Sequence, residues 1–102
     1  MIDTDSIFAA MDVDLAARGF LRESDRSDPQ AFGSRVRQYR RSEKEALELI
    51  WDGRDRWLIL RGGIPWRDLA IYRGPFNTVA PHTITTSLLT EAAQAAPFPA
   101  AI

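Results

Sequence analysis

The chain has no cysteine, a single histidine and, among thirteen basic residues, a single lysine. The missing cysteine removes disulfides, thiolate nucleophiles and cysteine-ligated zinc or iron–sulfur centres together, and it fits a reducing compartment. His82 stands alone, so no histidine pair can hold a metal. As a general base it would need a nucleophile or an orienting carboxylate, and none lies near it in sequence; it reads as an exposed loop residue. A phosphate-binding glycine loop, a nucleophile elbow and a His-Glu-x-x-His motif are all lacking. No catalytic residue, metal or cofactor is expected. No apolar run approaches the roughly 20 residues of a membrane span. The start, Met-Ile-Asp-Thr-Asp, is acidic where a secretory leader would be basic and then apolar. These features predict a cytoplasmic chain that does not engage a membrane.

The 102 residues suffice for one domain, here taken as residues 1–102 with a short tail at 97–102, and an apolar content of 45 % with ten aromatic side chains supplies a core. The net charge of −1 hides an uneven distribution. Residues 1–30 carry seven acids against three arginines, residues 31–73 carry nine arginines and one lysine against six acids, and beyond residue 73 the only charged side chain is Glu91. The middle of the chain could therefore offer a basic face to an acidic partner.

Residues 4–18 predict an amphipathic helix, with Ile7, Phe8, Met11 and Leu15 at helical spacing, acids and Thr4 at its start, and Gly19 as its stop with Phe20 behind it. Residues 22–30 are polar and read as a loop. The next stretch admits two readings: one helix over 28–50, or strands at 32–40 and 46–51 around a polar turn. Gly33-Ser34 inside a long helix disfavours the first, and the strands are taken. Leu47–Trp51 and Arg56–Leu60 flank Asp-Gly-Arg-Asp as a hairpin. A loop at 52–55 pairs Trp51 with Arg56, Leu49 with Leu58 and Leu47 with Leu60. It leaves Glu48, Ile50, Trp57 and Ile59 on the reverse face, and an odd-length loop would exchange the faces of the second strand. Residues 68–72 predict a further strand, and Thr83 caps a final helix ended by Pro97. The fold expected is α+β: an N-terminal helix, an antiparallel meander of three or four strands, and a C-terminal helix, with both helices on one sheet face.

Two groups of residues are candidate binding sites. As a strand, Arg35, Arg37, Tyr39 and Arg41 form a one-sided row of cations with an aromatic among them. Such a row suits an acidic protein or, as a lesser alternative, a nucleic-acid backbone; the plain alternative is solvated charge that protects a sheet edge. On that reading, replacing the arginines of the row leaves folding nearly intact. The second group is Trp57 on the reverse sheet face, with Trp66 expected beside it as a contact for another protein. Asp12 and Asp14, two apart on a helix, point away from each other and read as solvated rather than metal-binding. Asp52 and Asp55 read as turn formers.

The helix ending Arg18-Gly19-Phe20, followed by Phe32-Gly33-Ser34, Tyr39, Leu49-Ile50-Trp51-Asp52 and Arg56-Trp57-Leu58-Ile59-Leu60, resembles small uncharacterised bacterial proteins of the toxin-immunity or orphan type. The resemblance spans residues 7–72 and implies a non-enzymatic, protein-binding role, as an immunity or inhibitor protein has. The partner expected is thus another protein, either a second copy of the chain or an acidic heterologous one. A small-ligand or anion-binding protein, or an enzyme, with an arginine-lined pocket is the alternative. Nucleic-acid binding through residues 35–41 stands behind both.

Overall fold

The computed structural model describes residues 2–63 and 65–95. The tail at 97–102 and its Pro97 stop lie outside the described residues. Helix α1 (Thr4–Ala16) leads into five strands, β1 (Leu21–Asp28), β2 (Ser34–Ser42), β3 (Glu45–Asp52), β4 (Trp57–Gly62) and β5 (Arg67–Tyr72), and helix α2 (Pro81–Ala92) closes the chain. The strands form one antiparallel meander in sequence order. The stretch 28–50 is thus strands joined by turns and not one helix, and the sheet has one strand more than the expected maximum.

The helix ends follow local chemistry. Asp3 caps α1 by accepting the Ser6 amide at 3.0 Å. At the other end Gly19 adopts a φ of 87°. Its amide and that of Phe20 return to the carbonyls of Ala16 and Leu15, and Phe20 is buried in the core. Helix α2 starts two residues before Thr83. Pro81 occupies the first turn after Ala80, where its fixed φ suits a helix and its missing amide costs nothing.

The extra strand is β1, over the stretch expected to be a loop. All eight of its residues are exposed, so it carries no apolar alternation. It pairs along β2, with Asp25 opposite Arg37 and Ser27 opposite Arg35. Backbone pairing and ion pairs hold this edge in place.

The hairpin of β3 and β4 turns through residues 53–56, so Trp51 pairs with Leu58, Leu49 with Leu60 and Leu47 with Gly62. The register differs by two residues from the expected one. An even shift leaves every side chain on its expected face. Asp52 accepts the amides of Arg54 and Asp55, the ordinary service of an acid in a turn. In β5 a register shift opposite Leu60 and Arg61 places both Leu69 and Ala70 in the core, which breaks the expected alternation there.

Leu47, Leu49, Trp51, Leu58 and Leu60 form one core with Ile7, Phe8, Met11 and Leu15 of α1 and Ile84, Leu88, Leu89 and Ala92 of α2. Both helices therefore lie on one sheet face. Phe76, in the segment between β5 and α2, packs edge-on against Trp51 at 5.4 Å and against Tyr72 at 5.2 Å. Gly53 is held by a close approach: a Cβ there would sit 2.0 Å from the Phe32 carbonyl oxygen. The Gly53 amide also donates to the Ser34 hydroxyl at 3.0 Å, so the β1–β2 and β3–β4 turns are docked together.

Trp51 belongs to this core, whereas Trp57 projects from the other face. Trp51→Ala is expected to cost about 3–5 kcal/mol of stability through the cavity it leaves. Trp57→Ala is expected to cost on the order of 1 kcal/mol, from a lost cation–π contact. Urea unfolding of the two variants checks the order.

Candidate interaction face

Arg35, Arg37, Tyr39 and Arg41 share one face of β2, as expected, but that face lies against α1 instead of in solvent. Arg37 and Tyr39 are buried. The Arg37 guanidinium donates to Asp12 at 2.7 Å and to Asp25 at 2.9 Å, and Tyr39 donates its hydroxyl proton to the other Asp12 oxygen at 2.6 Å. Arg35 reaches Asp25 at 3.1 Å and Asp5 at 2.5 Å. Arg41 pairs with Glu45 and donates to the Arg18 carbonyl at 3.2 Å, at the C-terminus of α1. Aromatic rings form the floor: the guanidinium carbons of Arg35 and Arg41 lie 4.5 and 4.6 Å from the ring centres of Phe8 and Phe20.

The spacing explains the fit. From Asp5 to Arg18 an α-helix rises about 20 Å, and from Arg35 to Arg41 a strand advances about 20 Å. Helix and strand therefore stay in step along the seam. Solvated charge is the wrong account of this row, because the acids of residues 1–30 fold back onto the bases of residues 31–41.

The environment sets the ionisation of these groups. Hydrogen bonds from Arg35 and then Arg37 hold the Asp25 carboxyl at about 2, below its usual 3.8. Burial opposes the charge on Arg37, and the bonds to Asp25 and Asp12 more than offset it, so its pKa lies above the ordinary value. Burial, reinforced by the Asp12 carboxylate, pushes the Tyr39 phenol up.

Asp12 and Asp14 do point apart, but neither is merely solvated. Asp14 is buried and accepts the Thr85 hydroxyl of α2 at 2.6 Å, and His82 Nδ1 lies 3.3 Å from its other oxygen. His82 stands in the first turn of α2, and a carboxylate distant in sequence is its neighbour. Sequence spacing could not reveal that pair.

The opposite sheet face is the one that neither helix covers. Across it runs an in-register row, Arg26, Val36, Ile50, Ile59 and Ile71, one residue from each strand. Its four apolar members are all half-buried. Beside it lies a polar row of Ser24, Gln38, Glu48, Arg61 and Asp68. Gln38 donates to Glu48 at 2.8 Å, and Arg61 pairs with Asp68 at 3.1 Å. On the other side of the apolar row stands Trp57, opposite Asp52, with the Arg73 guanidinium 4.6 Å over its ring. Among the described residues no element stacks on this face.

Trp66 is 36 % exposed and precedes β5, at the turn between β4 and β5, whereas Trp57 opens β4 at the far end of the same hairpin. The two tryptophans are not side by side, because the strand between them separates them by about 17 Å. An open cleft of about 400 Å³ lies beside Arg35, but Asp5 and Asp25 line it as well. Its guanidinium is thus already matched by carboxylates. Among the described residues no group of three histidine, aspartate or glutamate side chains is placed to hold a metal ion. No described helix is long and apolar enough to cross a membrane. No family model, curated protein or solved structure matches the chain.

Three outcomes follow from the seam. Arg37→Gln leaves Asp12 and Asp25 without their common counter-charge and should cost about 3–5 kcal/mol. Replacing Arg35, Arg37 and Arg41 together should unfold the chain at ambient temperature, which circular dichroism would show. The Asp25 value lies lower folded than unfolded, so its contribution is complete above the unfolded value of 3.8 and is lost as pH falls toward 2. Asp25→Asn should therefore lower stability at neutral pH and flatten the acid limb over that window, as urea midpoints at stepped pH would record.

Proposed function

We propose that this chain is a non-catalytic protein-binding module of the immunity- or inhibitor-like kind, and that its uncovered sheet face makes the contact. The observation that carries the reading is the row Val36, Ile50, Ile59 and Ile71 on the face opposite both helices. A row of branched apolar side chains crossing four strands, with an indole at its border, is what a protein contact uses as its apolar centre. The resemblance to small uncharacterised bacterial proteins of the toxin-immunity or orphan type implies the same role, and the state of the arginines of β2 supports it. Their charges are spent on Asp5, Asp12, Asp25 and Glu45. They are thus poorly placed to line an anion pocket or to track a nucleic-acid backbone.

Ile59→Arg and Trp57→Ala alter this face while sparing the core, and Val13→Arg, on an exposed position of α1, serves as the control. With the folded proteins as matched baits in an extract of the source cells, a specific protein is expected to be retained by wild type and by Val13→Arg. It should be lost from Ile59→Arg and reduced with Trp57→Ala. Equal retention by wild type and Ile59→Arg would remove the sheet face as the contact.

A further inference from the structure

We infer that the uncovered face binds a second copy of this chain, as a face-to-face dimer about a two-fold axis that runs along the apolar row. The inference rests on the reading of that face as a protein contact and adds the occupant. The charge of the face is the first reason. Arg26, Arg40, Arg61 and Arg73 are interleaved there with Asp28, Glu48, Asp52 and Asp68, and Arg40 is paired with Glu23. A face of nearly balanced charge is a poor match for a strongly acidic or basic partner, but it can match itself.

The arrangement of the rows is the second reason. A two-fold axis along Val36–Ile50–Ile59–Ile71 stacks the apolar row on its own copy. It also lays the Asp52–Trp57–Arg73 side of one chain over the Gln38–Glu48–Arg61–Asp68 side of the other. Arg73, which lies over Trp57 in its own chain, then meets Asp68 of the second copy, which is paired there with Arg61. Trp57 meets that Arg61, and each contact occurs twice by symmetry. Asp52 comes over Glu48, but both carboxylates are already engaged within their own chain, Asp52 by two turn amides and Glu48 by Gln38. Inclining the axis by about 15° to the row gives the crossing of about 30° that twisted sheets adopt when packed.

Size is the third. Five strands about 4.8 Å apart and roughly six residues long present a face of roughly 480 Å². Two such faces together approach the roughly 1,000 Å² at which specific interfaces begin. The dimer should accordingly be reversible and concentration-dependent.

Sedimentation velocity on the full chain, from low micromolar to several hundred micromolar, tests this. Wild type should show a reversible monomer–dimer equilibrium, and Ile59→Arg should be monomeric with its far-ultraviolet spectrum unchanged. Arg73→Asp should weaken dimerisation about tenfold. The double variant Arg73→Asp with Asp68→Arg should recover part of that loss, because the charges that meet across the axis are reversed together, while the Arg61–Asp68 pair within each chain is lost. This charge-reversal pair also decides the matter if Ile59→Arg fails to fold. A wild type that stays monomeric throughout overturns the inference, while an Ile59-dependent heterologous partner would leave the protein-contact reading standing. A dimer that persists in Ile59→Arg, or a double variant no tighter than the single, also overturns it.

Discussion

Arg37 is the point on which the two halves of the molecule turn. It is buried, and a guanidinium cannot shed its charge, so its place in the core exists only while Asp12 from α1 and Asp25 from β1 are both present. One carboxylate comes from the helix before the sheet and the other from the sheet edge. The same side chain therefore fixes the helix on the sheet and recruits an edge strand that has no apolar anchor of its own. Tyr39, which shares Asp12, and Arg35, which shares Asp25, extend the arrangement into a continuous network. Breaking it at one member exposes the others to uncompensated burial.

Such a network limits alternatives as much as it stabilises. The apolar stripe of α1 would pack on a sheet of leucines in several rotations and offsets of similar energy, since apolar contact has little directionality. The ion pairs and hydrogen bonds along the β2 seam tolerate only one offset, because they begin at Asp5, pass through Asp12 and finish on the Arg18 carbonyl. The Asp14–Thr85 bond does the same between the helices, using the acid two residues further along that faces α2. Two neighbouring acids of α1 thus set its position against both the sheet and α2.

The fold was largely legible in the residues, and the seam was not. Helix α1 announced itself through capping acids, apolar spacing and the Gly19-Phe20 stop. The β3–β4 hairpin did so through its turn and its leucines, and the sheet faces survived a slipped register because the slip was even. Strand β1 was illegible because propensity and alternation report burial, and nothing in β1 is buried. The arginine row was misread for a related reason. Arg-x-Arg-x-Tyr-x-Arg shows the period of a strand but not which face the strand buries, and cations ordinarily go to solvent. The signal that could have found it was the charge imbalance between residues 1–30 and 31–73, four negative against four positive. That imbalance fits an outside partner and an internal complement equally, and the complement lies within the chain.

The charged side of β2 is satisfied internally, and strand alternation leaves the branched apolar residues on the opposite side of the sheet. The two faces are made by the same strands, with Arg35, Arg37 and Tyr39 turned inward and Val36 and Gln38 outward between them. Any change in the offset of β2 by one residue would put Val36 under the helix and the guanidiniums in the open. The network around Arg37 opposes that slip, since it would strand Asp12 and Asp25. The polar core therefore does more than bind α1 to the sheet: it keeps Val36, and with it the apolar row, on the face opposite the helices.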